Sequence, residues 1–433
     1  MAGLCCGNLA QEKEYLYSLT QSFAYPQPRK NVRTNVNDTN KSTATDQLVT
    51  LNDYQLIARR TDQNKQSGLD GLAFPLLGLF GEVGTLLSAL KKKQRDRESF
   101  VGYNEAVIQE FGDVLWYFSN IASRASLKLS VLAQKIFRGL QDWDEVANDP
   151  FGTFEDIQSK KPASGSPDSP AFETALISLA GKVGLLMNDF HQNRVATNRD
   201  VLSAHLLEIF RALIEAADVA DINLAKAAAF NVRKIHSRWP EQRTCTPLFD
   251  EAFDSLEQLP RKIEMHIFEK KRGDKTYVIQ QCNGLNIGSA LTDNRMTHDD
   301  YRFHDVFHLS YAAILGWSPV LRALFKVKRK SQPKIDEAED GARAILIEEG
   351  IATLVFHRAL RLNHFASISS LDYSLLKLIP EFVSGYEVEQ CPLWQWEQAI
   401  LDGFSVFRKL QLHRRGIVTA DLGQRTISFD DLP

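Results

Sequence analysis

Cysteine is scarce in this chain of 433 residues. Cys5, Cys6, Cys245, Cys282 and Cys391 form no C-x-x-C pair and no even framework, which excludes a disulfide scaffold and a thiolate zinc site and leaves reduced thiols. An excess of charge is lacking too. Lys and Arg number 51 against 54 Asp and Glu, a net charge of -3, so composition exerts no pull toward nucleic acid, which is not an expected partner. No apolar run approaches the roughly 20 residues that span a bilayer, and no apolar signal-peptide core follows Met1. A cytoplasmic protein without a membrane partner is the expectation. What the chain does have is length and an ordinary hydrophobic share of 44%, enough for two or three separately packed domains.

Residues 1–48 include RKNVRTNVNDTNKSTATDQ, which is polar and without periodicity, and are read as a flexible extension. Residues 49–158 form a first helical module: FPLLGLFGEVGTLLSALKKK keeps a broad apolar stripe at helical spacing, and Val101 to Leu140 repeats it in one long helix or two. SKKPASGSPDSP marks a linker at 159–170. Beyond it, PLLGLFGEVGTLLSAL lines up with ALISLAGKVGLLMNDF at an offset of 100 residues, matching Gly81 to Gly181, Val83 to Val183 and Gly84 to Gly184. Residues 171–240 are therefore a second, degenerate copy. Two helical hairpins that cannot each bury an apolar face alone would merge into one bundle. A linker at 241–260 leads to a domain at 261–433. There, RKIEMHIFEKKRGDKTYVIQQ alternates apolar and polar residues around Arg272-Gly273-Asp274, which predicts a β-hairpin. Helical patterns return from Asp299, and GIVTADLGQRTISFDD adds short strands. The expected fold class is mainly α, a tandem helical bundle followed by an α+β domain.

Carboxylates punctuate the first module at helical spacing. Glu110-Phe111-Gly112-Asp113 puts two acids at i and i+3 on one helix face, Asn120 follows seven residues later on that face, and Glu82 stands in the preceding helix. These residues, with LNDYQLIARRT (Leu51 to Thr61), resemble the MazG-type nucleoside-triphosphate pyrophosphohydrolases over about ninety residues. That family carries E-x-x-E on one helix and E-x-x-D on the next. The resemblance implies that Glu82, Glu110 and Asp113 hold Mg2+, which clamps triphosphate oxygens and activates a water, releasing pyrophosphate and a monophosphate. It also implies a nucleotide substrate, a substrate-facing Asn120 and association into a homo-oligomer. Thr85 stands where the family's second carboxylate would be and can offer a hydroxyl. The family's late Asn and Lys fall on Ile136 and Gly139. The second copy has Lys182 and Leu185 at the first acid pair and His205 and Glu208 at the second, so no metal cage is expected there. Its Asn231 and Lys234 match the late polar positions and are expected to lend substrate contacts to the first copy. The basic run Lys91, Lys92, Lys93, Arg95 and Arg97 suits a solvated helix C-terminus.

The C-terminal domain holds a different constellation. His304-Asp305-x-x-His308 puts two imidazoles at i and i+4, a spacing that lets both reach one metal, with Asp305 as a candidate general base. Glu348 and Glu349 lie in an otherwise apolar helix, where a carboxylate needs a partner or a metal. A two-His, one-Glu site for Zn2+ or Mn2+ follows. The competing reading is a buried ion network of Glu348 or Glu349 with His308 or Arg343. The contiguous His-Asp resembles HD-type phosphohydrolases, whose further ligands would have to come from His298, Asp299, Asp340 or His357, and E-E-G-I-A resembles the third-ligand helix of some zinc peptidases. Neither likeness names a family. The basic run Lys326, Lys328, Arg329, Lys330 and Lys334 reads as a flexible loop. Together these features predict a nucleotide-acting hydrolase fused to a second candidate metal-dependent hydrolase. The alternatives are a nucleotide sensor without turnover that controls a C-terminal effector, and a helical scaffold.

Overall fold

The structure is a computed structural model that describes residues 50–64, 66, 68–138, 152–158, 165–195 and 198–431. The N-terminal extension, Cys5, Cys6, Gly139 and linker residues 159–164 lie outside the described residues. The chain is mainly α with a five-stranded sheet toward its C-terminal end. It divides into two compact units, residues up to His236 and Ser237–Pro433.

The first unit contains α1 (Leu51–Arg60), α2 (Ala73–Asp96), α3 (Tyr103–Arg124), α4 (Leu129–Arg138), α5 (Pro170–His191), α6 (Arg199–Val219) and α7 (Leu224–Arg238). Local chemistry sets several of these starts. The Thr50 hydroxyl accepts from the Asp53 backbone N–H at 3.0 Å, and Ser169 caps α5 just ahead of Pro170, whose missing N–H costs nothing in the first turn. The stretch from Val101 onward makes two helices, separated by a turn with Ser126 at positive φ. A single core runs through both copies, from Leu51, Tyr54, Leu79 and Phe111 to Leu179, Leu206, Phe210 and Val232. Each fully buried Leu or Phe in it contributes about 1.5–3 kcal/mol of transfer free energy.

One expectation from the sequence is corrected here. Two helical stretches, Ala73–Ser99 and Pro170–His191, are long and apolar enough by composition to cross a membrane. Their buried stripes, Leu76, Leu79, Val83 and Leu86 on α2 and Leu176, Leu179, Val183 and Leu186 on α5, instead belong to the shared core. Glu82 and Lys182 interrupt the two apolar runs, so neither stretch is continuously apolar in sequence.

In the second unit, β1 (Lys262–Arg272), β2 (Lys275–Cys282), β3 (Leu285–Asn286), β4 (Arg415–Asp421) and β5 (Thr426–Asp430) form an antiparallel sheet in the order β3-β2-β1-β4-β5. The expected hairpin is present: Arg272 pairs with Lys275, and Gly273 supplies the positive φ of the two-residue turn. Four longer helices accompany the sheet, α8 (Asp305–Leu315), α9 (Pro319–Phe325), α10 (Ala342–Leu360) and α11 (Leu393–His413), of which α8 and α11 pack on its strands. Helix α8 is buried along its entire length, against α11 and strands β4 and β5. The run around Lys328 departs from expectation. Arg329 is fully buried, donating to Asp340 and Glu387, because a guanidinium with two carboxylates satisfies all parties where a solvated loop would not.

Candidate active and metal-binding sites

Within the first unit, α2 carries Glu82 and α3 carries Glu110 and Asp113, and one oxygen from each falls within 4.8 Å of the others. Helix α7 completes the group. Asn231 Nδ2 donates to Asp113 Oδ1 at 2.8 Å, and Lys234 Nζ lies 2.5 Å from Oδ2. Tyr54, buried on α1, donates to the side-chain oxygen of Asn231 at 2.9 Å and so fixes which end of that amide faces the carboxylate. The approach of α7 to α3 depends on Gly112. A Cβ there would lie 2.7 Å from the Ala227 carbonyl oxygen and 2.8 Å from Asn231 Cβ. Glycine inside a helix costs about 1 kcal/mol relative to alanine, so its place between Glu110 and Asp113 was a readable but unused signal of close approach.

The cluster is electrostatically unbalanced. Burial, then the neighbouring Glu82 and Asp113 charges, push the Glu110 carboxyl up to about 8. Glu82 is raised for the same reasons, burial first and Asp113 next. Lys234 offsets only part of this in both cases. Three half-buried carboxylates near one ammonium suit a hard cation with a preference for oxygen donors.

Other expected residues are placed elsewhere. Thr85 donates its hydroxyl to the Gly81 carbonyl at 3.2 Å, in its own helix, and does not join the acids. Ile136 packs on the core. Asn120 is buried, donating to the Trp116 carbonyl at 3.1 Å, and sits two helical turns from Asp113, so it is a core residue and not part of the acidic face. In the second copy Lys182 pairs with Glu208 at 2.8 Å, and His205 with Asp189 at 2.9 Å.

In the second unit, His304, Asp305 and His308 bring ligand atoms within 4.8 Å of one another at the start of α8. His304 Nδ1 lies 2.9 Å from the Tyr301 carbonyl, which holds a proton on that nitrogen and turns Nε2 toward Asp305 Oδ1, 3.1 Å away. The Tyr301 ring stacks on His304 with centroids 4.4 Å apart. His308 Nδ1 is bound to Glu348 Oε1 at 2.8 Å. The two acids of the apolar helix divide their work. Glu348 is saturated, since its Oε1 also accepts from the Ser318 hydroxyl at 2.7 Å and its Oε2 from the Val320 backbone N–H at 2.9 Å. Glu349 faces both imidazoles, with its oxygens 3.8 Å from His304 Nε2 and 3.5 Å from His308 Nε2. Burial opposes a charge on His308, but the Glu348 and Glu349 carboxylates outweigh it and raise its pKa. The two histidines in turn hold Glu349 below its ordinary value, against the effect of burial.

His298 pairs with Asp293, Asp299 with Arg295, and Asp340 with Arg329, so none of the HD-type extra ligands reaches this cluster, and His357 is exposed. A cavity of about 380 Å³ lies elsewhere in the unit. Phe268, Lys270 and Arg272 of β1 with Tyr277, Ile279 and Gln280 of β2 line it.

Residues 244–433 match the family described as the MazG C-terminal domain. A curated relative, the Gene 37 protein of Mycobacterium phage L5, is 32% identical over 94 residues, covering 20% of this chain and 82% of that protein. No solved structure matches. The family match falls on the domain that motif reading left unassigned, and not on the first helical module. That match spans less than half of the chain, and the likeness to the MazG C-terminal domain is a property of residues 244–433.

Proposed function

We propose that this chain is a cytoplasmic nucleoside-triphosphate pyrophosphohydrolase whose reaction takes place on the α2–α3 carboxylates, converting a triphosphate and water to a monophosphate and pyrophosphate. The observation that carries the reading is the Glu82, Glu110 and Asp113 cluster with its raised acids. Glu82, Glu110 and Asp113 would hold Mg2+, which when bound supplies charge neutralisation for the phosphate oxygens and lowers the pKa of a water. The protein's own groups do the rest. Tyr54 and Asn231 fix Asp113 in one orientation, and Lys234 presents a cation beside it for a phosphate oxygen. Lys234 acts from the second copy, so a duplicate whose own acid Glu208 is paired with Lys182 still serves the first copy's site.

Asp113→Asn should reduce pyrophosphate release at least about a thousandfold in Mg2+ with the thermal transition unchanged within a few degrees. Full activity in that variant would sink the reading. One observation favours nucleotide sensing without turnover: Thr85 bonds to its own helix, leaving three acids where the resemblance implies four. Thermal stabilisation by nucleotide and Mg2+ without any pyrophosphate would select that alternative.

Both copies leave the same face bare. Leu77 is 64% exposed and Ile177 59%, and Cβ atoms at Gly81, Gly84, Gly181 and Gly184 would meet nothing. We assign the expected homo-oligomer to this face. Leu77→Glu with Ile177→Glu should yield monomers by light scattering, and an unchanged mass would refute the assignment.

A further inference from the structure

The geometry points to a second metal centre, separate from the carboxylate cluster, in which His304 Nε2, His308 Nε2, Asp305 and Glu349 bind one divalent transition-metal ion of the Zn2+ or Mn2+ class, with Glu348 as the group that orients His308.

The first argument is tautomeric. Each imidazole has its Nδ1 engaged, His304 by the Tyr301 carbonyl and His308 by Glu348, so each is left with Nε2 as the atom that faces the cluster. Carboxylate or carbonyl partners on the far nitrogen are the usual outer support of metal-bound histidine. The second is an unmet valence. His308 is 0% exposed, and among the described residues its Nε2 has no hydrogen-bond partner, Glu349 Oε1 standing 3.5 Å away. A buried polar nitrogen without a partner requires an explanation, and a lone pair directed at a cation provides one. The third is spacing. Tetrahedral ligands at 2.0–2.1 Å from an ion stand about 3.3 Å from one another. The separations of 3.1 Å from His304 Nε2 to Asp305 Oδ1 and 3.5 Å from His308 Nε2 to Glu349 Oε1 bracket that value, and the latter is too long for a good hydrogen bond. His304 Nε2 to Glu349 Oε2, 3.8 Å, closes by a small side-chain rotation.

The competing arrangement is an ion network in which His308 is a cation between Glu348 and Glu349. In it the proton on His308 Nε2 meets only Glu349 Oε1 at 3.5 Å, too long for a good hydrogen bond. Two imidazoles and two carboxylates also differ from the all-oxygen set of Glu82, Glu110 and Asp113. Nitrogen donors favour Zn2+ or Mn2+ over Mg2+, so the two centres would select different ions. The Glu349 side chain, 37% exposed, marks the side from which water or a ligand reaches the ion.

Mn2+ is the probe for the test, added to chelator-stripped full-length protein and followed by pulsed EPR, which detects imidazole nitrogen bound to the ion. The carboxylate cluster contains no histidine, so nitrogen coupling reports only on a histidine site. Coupling is expected in the intact protein, is expected to persist in Asp113→Asn, and is expected to be displaced by about one equivalent of Zn2+. Glu349→Gln, a partly exposed and isosteric change, should weaken the coupled Mn2+ tenfold to a hundredfold, as should Glu348→Gln. Absence of nitrogen coupling in the intact protein would overturn the inference whether or not any variant folds. Coupling of undiminished affinity in Glu349→Gln and His304→Gln would also overturn it, by moving the ion to some other histidine.

Discussion

Glu82 of the first copy faces Glu110 and Asp113, whereas one hundred residues later Lys182 faces Glu208 at 2.8 Å. The helices, the G-x-V-G spacing and the shared core are alike, but the charge arithmetic is opposite. In the second copy an ammonium on the chain neutralises the acid, and Glu208 is held below its ordinary range, first by the Lys182 hydrogen bond. In the first copy the cation beside the acids, among the described residues, is Lys234, borrowed from α7, and Glu110 stays protonated up to about 8. A duplicated site can thus be closed by one substitution of carboxylate to amine, while its twin remains dependent on an external cation. The helices tolerate either solution because both lie at the half-exposed end of the core.

Converting one copy into the other is the strongest way to break this comparison. Glu82→Lys should pair with Asp113 as Lys182 does with Glu208, lower Mg2+-dependent turnover at least about a thousandfold, and raise stability without metal at pH 8 by about 1 kcal/mol. Calorimetry and a pyrophosphate assay read both effects, and a destabilised variant would show that the two sites are not equivalent. A smaller effect lies in pH. With Glu110 at about 8 folded against 4.5 as its ordinary value, the folded chain binds the extra proton between those limits. Its contribution to stability is complete below about 4.5 and is lost as pH rises through about 8, on the order of 2 kcal/mol after allowance for solvent screening. Mg2+ should abolish that slope by replacing the proton, and a slope equal with and without Mg2+ would separate Glu110 from the metal.

How far the sequence could foretell this differs from residue to residue. The hairpin at Gly273-Asp274 was legible because strand alternation and turn chemistry are local. Glu110 and Asp113 were legible because i and i+3 spacing fixes a shared face, and Asn231 with Lys234 followed from the repeat. Asn120 misled: its spacing gives the correct face, but two turns further along that face has entered the core. Glu348 and Glu349 could not be told apart, since both are acids in an apolar helix. Ser318 and Val320, thirty and twenty-eight residues away, decide that Glu348 supports and Glu349 confronts the histidines. Arg329 was invisible as a buried group because its acids, Asp340 and Glu387, are eleven and fifty-eight residues distant.

The smallest expected effect concerns the second copy. Lys182 and Glu208 are both partly exposed, at 32% and 48% of the side chain, and a pair so placed contributes at most about 1 kcal/mol. Lys182→Ala should therefore lower stability by no more than that, with the loss shrinking as salt screens the pair. It should leave pyrophosphate release untouched, because Lys182 pairs with Glu208, which also pairs with Arg211, away from the Glu82, Glu110 and Asp113 cluster. Lys182→Glu is the sharper instrument. It sets an acid at position 182 opposite Glu208, as Glu82 stands opposite Asp113, but without the Asn and Lys contributed by the other copy, since Ile136 and Gly139 stand at those positions. If the acids alone define the site, Lys182→Glu gains a second Mg2+ per chain in equilibrium dialysis. If the borrowed Asn231 and Lys234 define it, as their grip on Asp113 indicates, the variant loses stability at neutral pH and Mg2+ stoichiometry does not rise.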